Sequence, residues 1–474
     1  HRSRGPSVKK LIARLLKQED PSAYQLKDGQ LEPTLRTIDL IGLGTGMVVG
    51  TAIFTLPGIV AAEHTGPAVP LAFIVAAIGA GLSALAYAET ASASVLPFAG
   101  SAFSWMNVLF GEFFGWIAGW ALLAEHFISV AFVASGWSAY MQGFLASFGI
   151  KLPTALTGGF NPASGSYVDI FAAIAILAVG WLLSHGVHQV ARIENTIVAI
   201  KLLVIILFIV VGATAIHTQN YHPFIPAHRP GTTFGGWTGI MAGASQIFIA
   251  YVGFDAIAAN TAETKNPQKT MPRGLIGTLV LGTSFFIVVS LVLVGMFKYS
   301  RYANNAEPAA WALRESGHYL TANLLSVVAL IGIFSALIAI LLASSRLIYA
   351  FGRDGLLPSF LGHVDAKRVP NRALWTITVL AMILGSIFPF TFLATLVSAG
   401  TLVAFIFVSL GIYALRRREG KDLPEAQFKM PGYPILPAVS VIFSAVIFWN
   451  LNVDAKWMMV CLLYTSDAAD DLIG

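Results

Sequence analysis

Charged residues are scarce in this chain. Only 11% of its 474 positions are Asp, Glu, Lys or Arg, where soluble domains carry roughly a quarter, and a soluble globular composition is thereby excluded. Cysteine is nearly absent, and the single Cys461 excludes an intramolecular disulfide and a cysteine-built metal site. No GxxxxGK[ST] loop occurs, so nothing points to nucleotide-driven pumping. The first residues hold no short apolar run with a cleavage site, so no secretory signal peptide is expected. Histidine offers no metal set: His185 and His188 lack a completing carboxylate or cysteine, and His217, His222 and His228 fall in an expected external loop. No metal, cofactor or nucleophile–base pairing is expected, and hence no enzyme.

What is present is apolar sequence, 56% of positions, with a mean hydropathy of +0.73. The composition reads as an all-α polytopic membrane protein. Taking about 20 apolar residues per crossing, spans are expected over 37–62, 68–92, 108–144, 168–186, 194–217, 236–263, 273–299, 321–350, 372–390, 391–415 and 434–452. The run from Lys456 to Tyr464 is too short to cross and passes into TSDAADDLIG, which reads as a truncated twelfth helix joined to a non-native tail over 464–474. The chain also starts without methionine, so its natural start is expected to lie upstream.

The net charge of +5 is no sign of nucleic-acid binding, because polytopic proteins gather Lys and Arg on the cytoplasmic side. With the N-terminus inside, the basic residues of 1–36 (Lys9, Lys10, Arg14, Lys17, Lys27, Arg36), of 264–273 and 353–372, and Arg416, Arg417, Arg418, Lys421 and Lys429 are cytoplasmic. The outside receives Lys151, Arg229, Lys298, Arg301, Arg314 and Lys456. A multi-pass protein of the cell membrane with a cytoplasmic N-terminus is expected.

The first span, IDLIGLGTGMVVGTAIFTLPGIVA, is interrupted by Gly42, Gly44, Gly46 and Gly50. Each glycine loosens a helix by roughly 1 kcal/mol relative to alanine, and a broken helix is tolerated in hydrocarbon only where the freed backbone meets protein, water or a ligand. A second interrupted stretch, GIMAGASQIFIAYVGFD, carries Gly239, Gly243 and Gly253 in the sixth span. Paired broken spans in matching halves point to a transporter binding site. Five spans per half would invert the second half, so a five-plus-five inverted repeat is expected, with 37–217 and 236–415 as its units and 434–463 appended.

Ionisable residues inside spans propose function by default. Lys201 lies in the fifth span, Glu125 in the third, Asp255 just past the sixth-span break, and Glu89 closes the second. Lys201 reads either as a snorkelling lysine or as a desolvated amine able to gain and lose a proton. Glu125 and Asp255 read equally as proton-handling groups or as helix–helix hydrogen bonds, and Glu89 as structural.

Five segments then carry a resemblance: GLGTGMVVGTAIF (42–54), ALAYAETASASVLPFAGSAFSW (84–105), GWALLAEHFISVAFVASGWSAY (119–140), YVGFDAIAANTAETKNPQKTMPRG (251–274) and SSRLIYAFGRDGLLP (344–358). In this order they resemble the amino acid–polyamine–organocation permeases, specifically the bacterial relatives of cationic amino acid transporters. The resemblance implies a secondary active amino acid transporter. It places the substrate carboxylate on backbone N–H groups of Gly50, Thr51, Ala52 and Ile53, at a positive helix end. It places the ammonium on carbonyls at Val48, Ile249, Ala250 and Val252, with Phe254 and Ile249 lining the pocket. It aligns Lys201 with a lysine of proton-coupled members, with Ser335 as its partner, and so implies protons as the coupling ion.

Two departures stand out. Ala52 replaces a frequent glycine and needs a negative φ, and Phe248-Ile249-Ala250-Tyr251 replaces an aromatic Phe-Phe-Ala-Tyr. Substrates the size of alanine to the branched-chain amino acids are expected, with arginine or lysine as the alternative. An amino acid/amine exchanger of the same fold, and a channel or receptor, are the competing readings.

Overall fold

The structure is a computed structural model that describes residues 31–93, 102–146, 149–163, 165–251, 254–303, 308–354, 357–388, 397–421 and 425–449, together with 13, 16–18, 423 and 457. Among the described residues it is helical, with isolated bridges in place of strands. In chain order the helices are α1 (Thr37–Val48), α2 (Thr51–Val60), α3 (Val69–Ser92), α4 (Ala102–Leu109), α5 (Glu112–Ala146), α6 (Ile170–Leu183) and α7 (Val187–Ala213). Then come α8 (Gly236–Ile247), α9 (Pro267–Met296), α10 (Pro308–Glu315), α11 (Tyr319–Arg353), α12 (Asn371–Ile387), α13 (Val397–Arg418) and α14 (Ile435–Trp449). Six helical stretches among the described residues are long and apolar enough to cross a membrane, and α1, α6, α12 and α14 are shorter apolar helices. The chain is a multi-pass membrane protein. The expected twelfth helix and the 464–474 tail lie outside the described residues, apart from Trp457.

Most expected spans overlap helices of the structure, the seventh starting at Pro267 rather than at 273; the third is a correction. It starts at Glu112 rather than at 108, and a separate helix, α4, precedes it. The joint is Gly111, at φ +109 and with its Cα against the backbone of Leu16, 2.8 Å from where a Cβ would sit. Neither that φ nor that space admits an L side chain, so the apolar run through 108–115 cannot stay one helix. The fifth span is also longer than expected. It starts at Val187, not 194.

The first span breaks where expected, at Val49 and Gly50. The Val49 N–H closes α1 on Thr45 O at 2.8 Å, and α2 then starts at Thr51 without a side-chain cap. Pro57 inside α2 removes a helical N–H, and the helix passes into a wider π turn, Ala61–Thr65. The sixth span tightens instead of widening. From Ile247 it continues as 3₁₀ turns over Phe248–Tyr251, Phe254–Ala259 and Thr261–Glu263.

Helix α1 sits in the middle, packed on α7, α9, α11 and the Phe254–Ala259 turns. Around it α3 packs on α9, α5 on α11 and α13, and α6 on α5 and α12. The outer faces of α6 and α7 expose Ile174, Leu177, Leu203, Ile206 and Val210, as a lipid-facing surface requires. Tryptophan is split between interior and surface. Trp105 is buried with its ring centroid 5.6 Å from that of Tyr87, while Trp181 and Trp237 are exposed.

Candidate functional site

The glycines of the first span do a different job from the one read in sequence. Gly42, Gly44 and Gly46 lie inside the continuous helix α1, and only Gly50 is at the break. A Cβ on Gly42 would overlap Asn195 Oδ1 of α7, and one on Gly44 would come within 2.5 Å of Thr278 Oγ1 and 2.7 Å of its Cγ2 on α9. A Cβ on Gly46 would overlap Glu194 Oε1 and come within 2.6 Å of Ser335 Oγ on α11. These three glycines are the faces on which α7, α9 and α11 approach α1 closely. Gly50 is at φ −98, so no left-handed glycine makes the break, and a Cβ there would meet only ordinary contacts at 3.4–3.7 Å.

At the break, the first N–H groups of α2 (Thr51, Ala52, Ile53) lack a side-chain cap, which leaves a positive helix end open to an anion. Ala52 is helical and is absent from the residues at positive φ. Val48 and Ile53 are buried and Ala52 is half-buried. On the sixth span Ala250 and Tyr251 are buried, and the Tyr251 hydroxyl lies 2.8 Å from Thr283 Oγ1 of α9. The two broken spans touch: a Cβ on Gly243 of α8 would come within 2.5 Å of Thr65 Cγ2 and 3.0 Å of Val60 Cγ1. Val252 lies outside the described residues, as do the side chains of Thr51, Ile249, Phe254 and Asp255.

Lys201 is fully buried, about four turns past the start of α7, so it does not snorkel. Its stem crosses α11 at Gly332, whose missing Cβ would sit 2.9 Å from Lys201 Cδ. Its ammonium donates to Gly46 O at 3.3 Å, one turn before the break. Ser335 faces the same point from α11, and its hydroxyl donates to Glu194 Oε1. Glu194 is fully buried, and its Oε2 has no hydrogen-bond partner. Sequence reading passes over Glu194 because the fifth span is expected to start there, at the membrane edge. The available signal is the spacing: seven residues before Lys201 is two turns, on the same helix face.

The other carboxylates lie elsewhere. Glu125 is buried in α5 with His126 Nε2 2.9 Å from its Oε2, and it faces α13, where a Cβ on Gly400 would come within 2.9 Å of Glu125 Cβ. Glu89 accepts from Arg416 Nε at 2.8 Å, joining α3 to α13, a structural role. Asp39 accepts from Arg36 N at 2.9 Å and from Asn195 Nδ2 at 2.7 Å. Glu263 is buried and forked by Arg346 of α11, whose Nε and Nη2 both donate to it. The Glu263 carbonyl also accepts from Thr34 N and Leu35 N, each at 3.0 Å.

An amino acid permease family profile matches residues 35–466. The branched-chain amino acid permease BcaP of Lactococcus lactis is 53% identical over 441 residues, 93% of this chain and 94% of that one. The methylthioribose transporter of Bacillus subtilis is 38% identical over 417 residues, 88% of each chain. BcaP of Bacillus subtilis is 34% identical over 437 residues, 92% of this chain and 91% of that one.

Proposed function

The chain belongs to the amino acid permease family, and from that premise we propose that it is a secondary active permease for branched-chain amino acids, coupled to protons. Its relatives are permeases and transporters rather than enzymes. The observation that carries the substrate class is the near end-to-end match to a branched-chain permease. The buried carboxylates support it. Asp39, Glu89, Glu125, Asp169, Glu194 and Glu263, the buried carboxylates among the described residues, each already face a side chain of their own: Arg36, Arg416, His126, Ser138, Ser335 and Arg346 respectively. A cationic substrate side chain would have to compete with these neighbours for a carboxylate, whereas an apolar one would not.

In this reading the amino acid carboxylate rests on the open N–H groups of Thr51, Ala52 and Ile53 and its ammonium on carbonyls at Val48, Ile249, Ala250 and Val252, with Gly50 and Phe254 beside it. Spans one to five (37–217) and six to ten (236–415) form two inverted units that rock about this point, with 434–463 outside them and the N-terminal 1–36 in the cytoplasm. Lys201, bonded to the carbonyl of Gly46, feels the break and supplies the coupling charge. Glu125 and Asp255 are further proton-handling candidates.

The test is leucine uptake by the purified protein in liposomes under an imposed pH gradient. Accumulation competed by isoleucine and valine but not by arginine, lysine or methylthioribose is expected. Lys201→Ala is expected to lose gradient-driven accumulation. Arginine as the sole effective competitor would overturn the substrate class. Uptake only into amino acid-loaded vesicles would make the protein an exchanger.

A further inference from the structure

We propose that Glu194 is the second proton-carrying group of the coupling site, exchanging a proton with Lys201; this rests on the reading of Lys201 as the coupling residue. Both side chains are fully buried on one face of α7, two turns apart. Both converge on Gly46. Its carbonyl accepts from Lys201 Nζ at 3.3 Å, and the space its missing Cβ leaves is filled by Glu194 Oε1 and by Ser335 Oγ at 2.6 Å.

The carboxyl is under-satisfied. Oε1 accepts the Ser335 hydroxyl, and Oε2 is buried without a partner. One hydroxyl is too little to hold a carboxylate away from water, so Oε2 is where a proton is taken up. Among the described residues no other ionised group competes for it. From α1 the facing acid is Asp39, occupied by Arg36 and Asn195. From α9 Thr278 faces α1 across Gly44, and from α11 come Gly332 and Ser335, none of which titrates. Helix α6 has no ionisable residue, and Arg314 and Glu315 of α10 are exposed.

The step balances. With two protons on the pair, the ammonium and the neutral acid carry one positive charge. When one proton leaves for water an O–H bond breaks and the pair becomes neutral. Lys201 then gives a proton to water and Glu194 regains one, so an N–H bond breaks, an O–H bond is remade and the pair becomes amine and acid, still neutral. The neutral amine keeps N–H donors but loses its charge, so its hold on the Gly46 carbonyl weakens one turn from the break. One proton thus accompanies each change in the hold on α1.

The experiment compares Glu194→Gln, Glu194→Asp and Lys201→Ala with the wild type in liposomes, reading leucine accumulation and co-transported protons with an internal pH dye across acid to alkaline pH. For Glu194→Gln we expect leucine counterflow to persist, while gradient-driven accumulation and the dye signal fall to background and the pH profile flattens. For Glu194→Asp the profile keeps its shape with a displaced midpoint. A wild-type profile in Glu194→Gln together with a flat one in Lys201→Ala overturns this inference alone. A wild-type profile in both overturns the parent reading. Should Glu194→Gln fail to fold, the infrared difference spectrum of the wild type between acid and alkaline pH decides. A buried protonated-carboxyl band that moves in Glu194→Asp supports the inference, and the absence of such a band overturns it.

Discussion

Replacing Gly46 by alanine tests whether the first-span glycines are contact surfaces rather than helix breakers. In an unobstructed helix the change stabilises by about 0.5–1 kcal/mol, because alanine has less freedom to lose. Here the new methyl would overlap Glu194 Oε1 and stand within 2.6 Å of Ser335 Oγ. Both neighbours are fully buried on packed helices. Overpacking of that kind costs about 1–3 kcal/mol, and pushing the carboxyl aside forfeits its hydrogen bond from Ser335, about 1.5–3 kcal/mol for a charged acceptor. The net expectation is a loss of about 1.5–5.5 kcal/mol. Gly81, in α3, is the control, since nothing lies within 4 Å of a Cβ there, and Gly81→Ala should gain about 0.5–1 kcal/mol. The assay is detergent-titrated unfolding in mixed micelles followed by tryptophan fluorescence, with leucine uptake alongside. A Gly46→Ala protein as stable as Gly81→Ala, with unaltered uptake, would refute the packing argument.

Removing Arg346 strands the buried Glu263 carboxylate, so Arg346→Ala should destabilise by about 3–5 kcal/mol. Combining Arg346→Met with Glu263→Leu replaces the ion pair by apolar volume and should recover much of that loss in the same unfolding assay. Tyr251→Phe deletes the 2.8 Å link to Thr283 at the sixth-span break. It should cost about 1 kcal/mol and lower leucine affinity in a thermal-shift titration; unchanged stability and affinity would mean that the hydroxyl carries no weight there.

The apolar runs made the membrane spans legible, since a crossing needs about 20 apolar residues whatever packs around it. Both breaks were legible too, although for a partly mistaken reason. Glycine in a span signals equally a loosened backbone and a neighbour too close for a methyl, and only Gly50 of the four lies at the break. The third span misled because Gly111 interrupts a largely apolar run, and the close approach of the Leu16 backbone to it is recorded by no local pattern. Lys201 was legible as a lone charge in apolar sequence. Glu194 was not, because the first two turns of α7, VHQVARIE, expose Arg192 and Ile193 and read as a polar loop. Starting the helix at Val187 moves Glu194 from the membrane edge to the interior.

The clasp at Glu263 has a mechanical corollary. Its main chain holds Thr34 and Leu35, just before α1, while its side chain is clamped by Arg346. The flank of one interrupted span and the tail of the other are therefore fastened to a single post on α11. Moving the flank of the first span away from α11 means either breaking two backbone bonds or carrying Glu263 away from its Arg346 fork. The fork and the two backbone bonds thus couple the hold on the first span to the hold on the tail of the sixth, so weakening either loosens both flanks together.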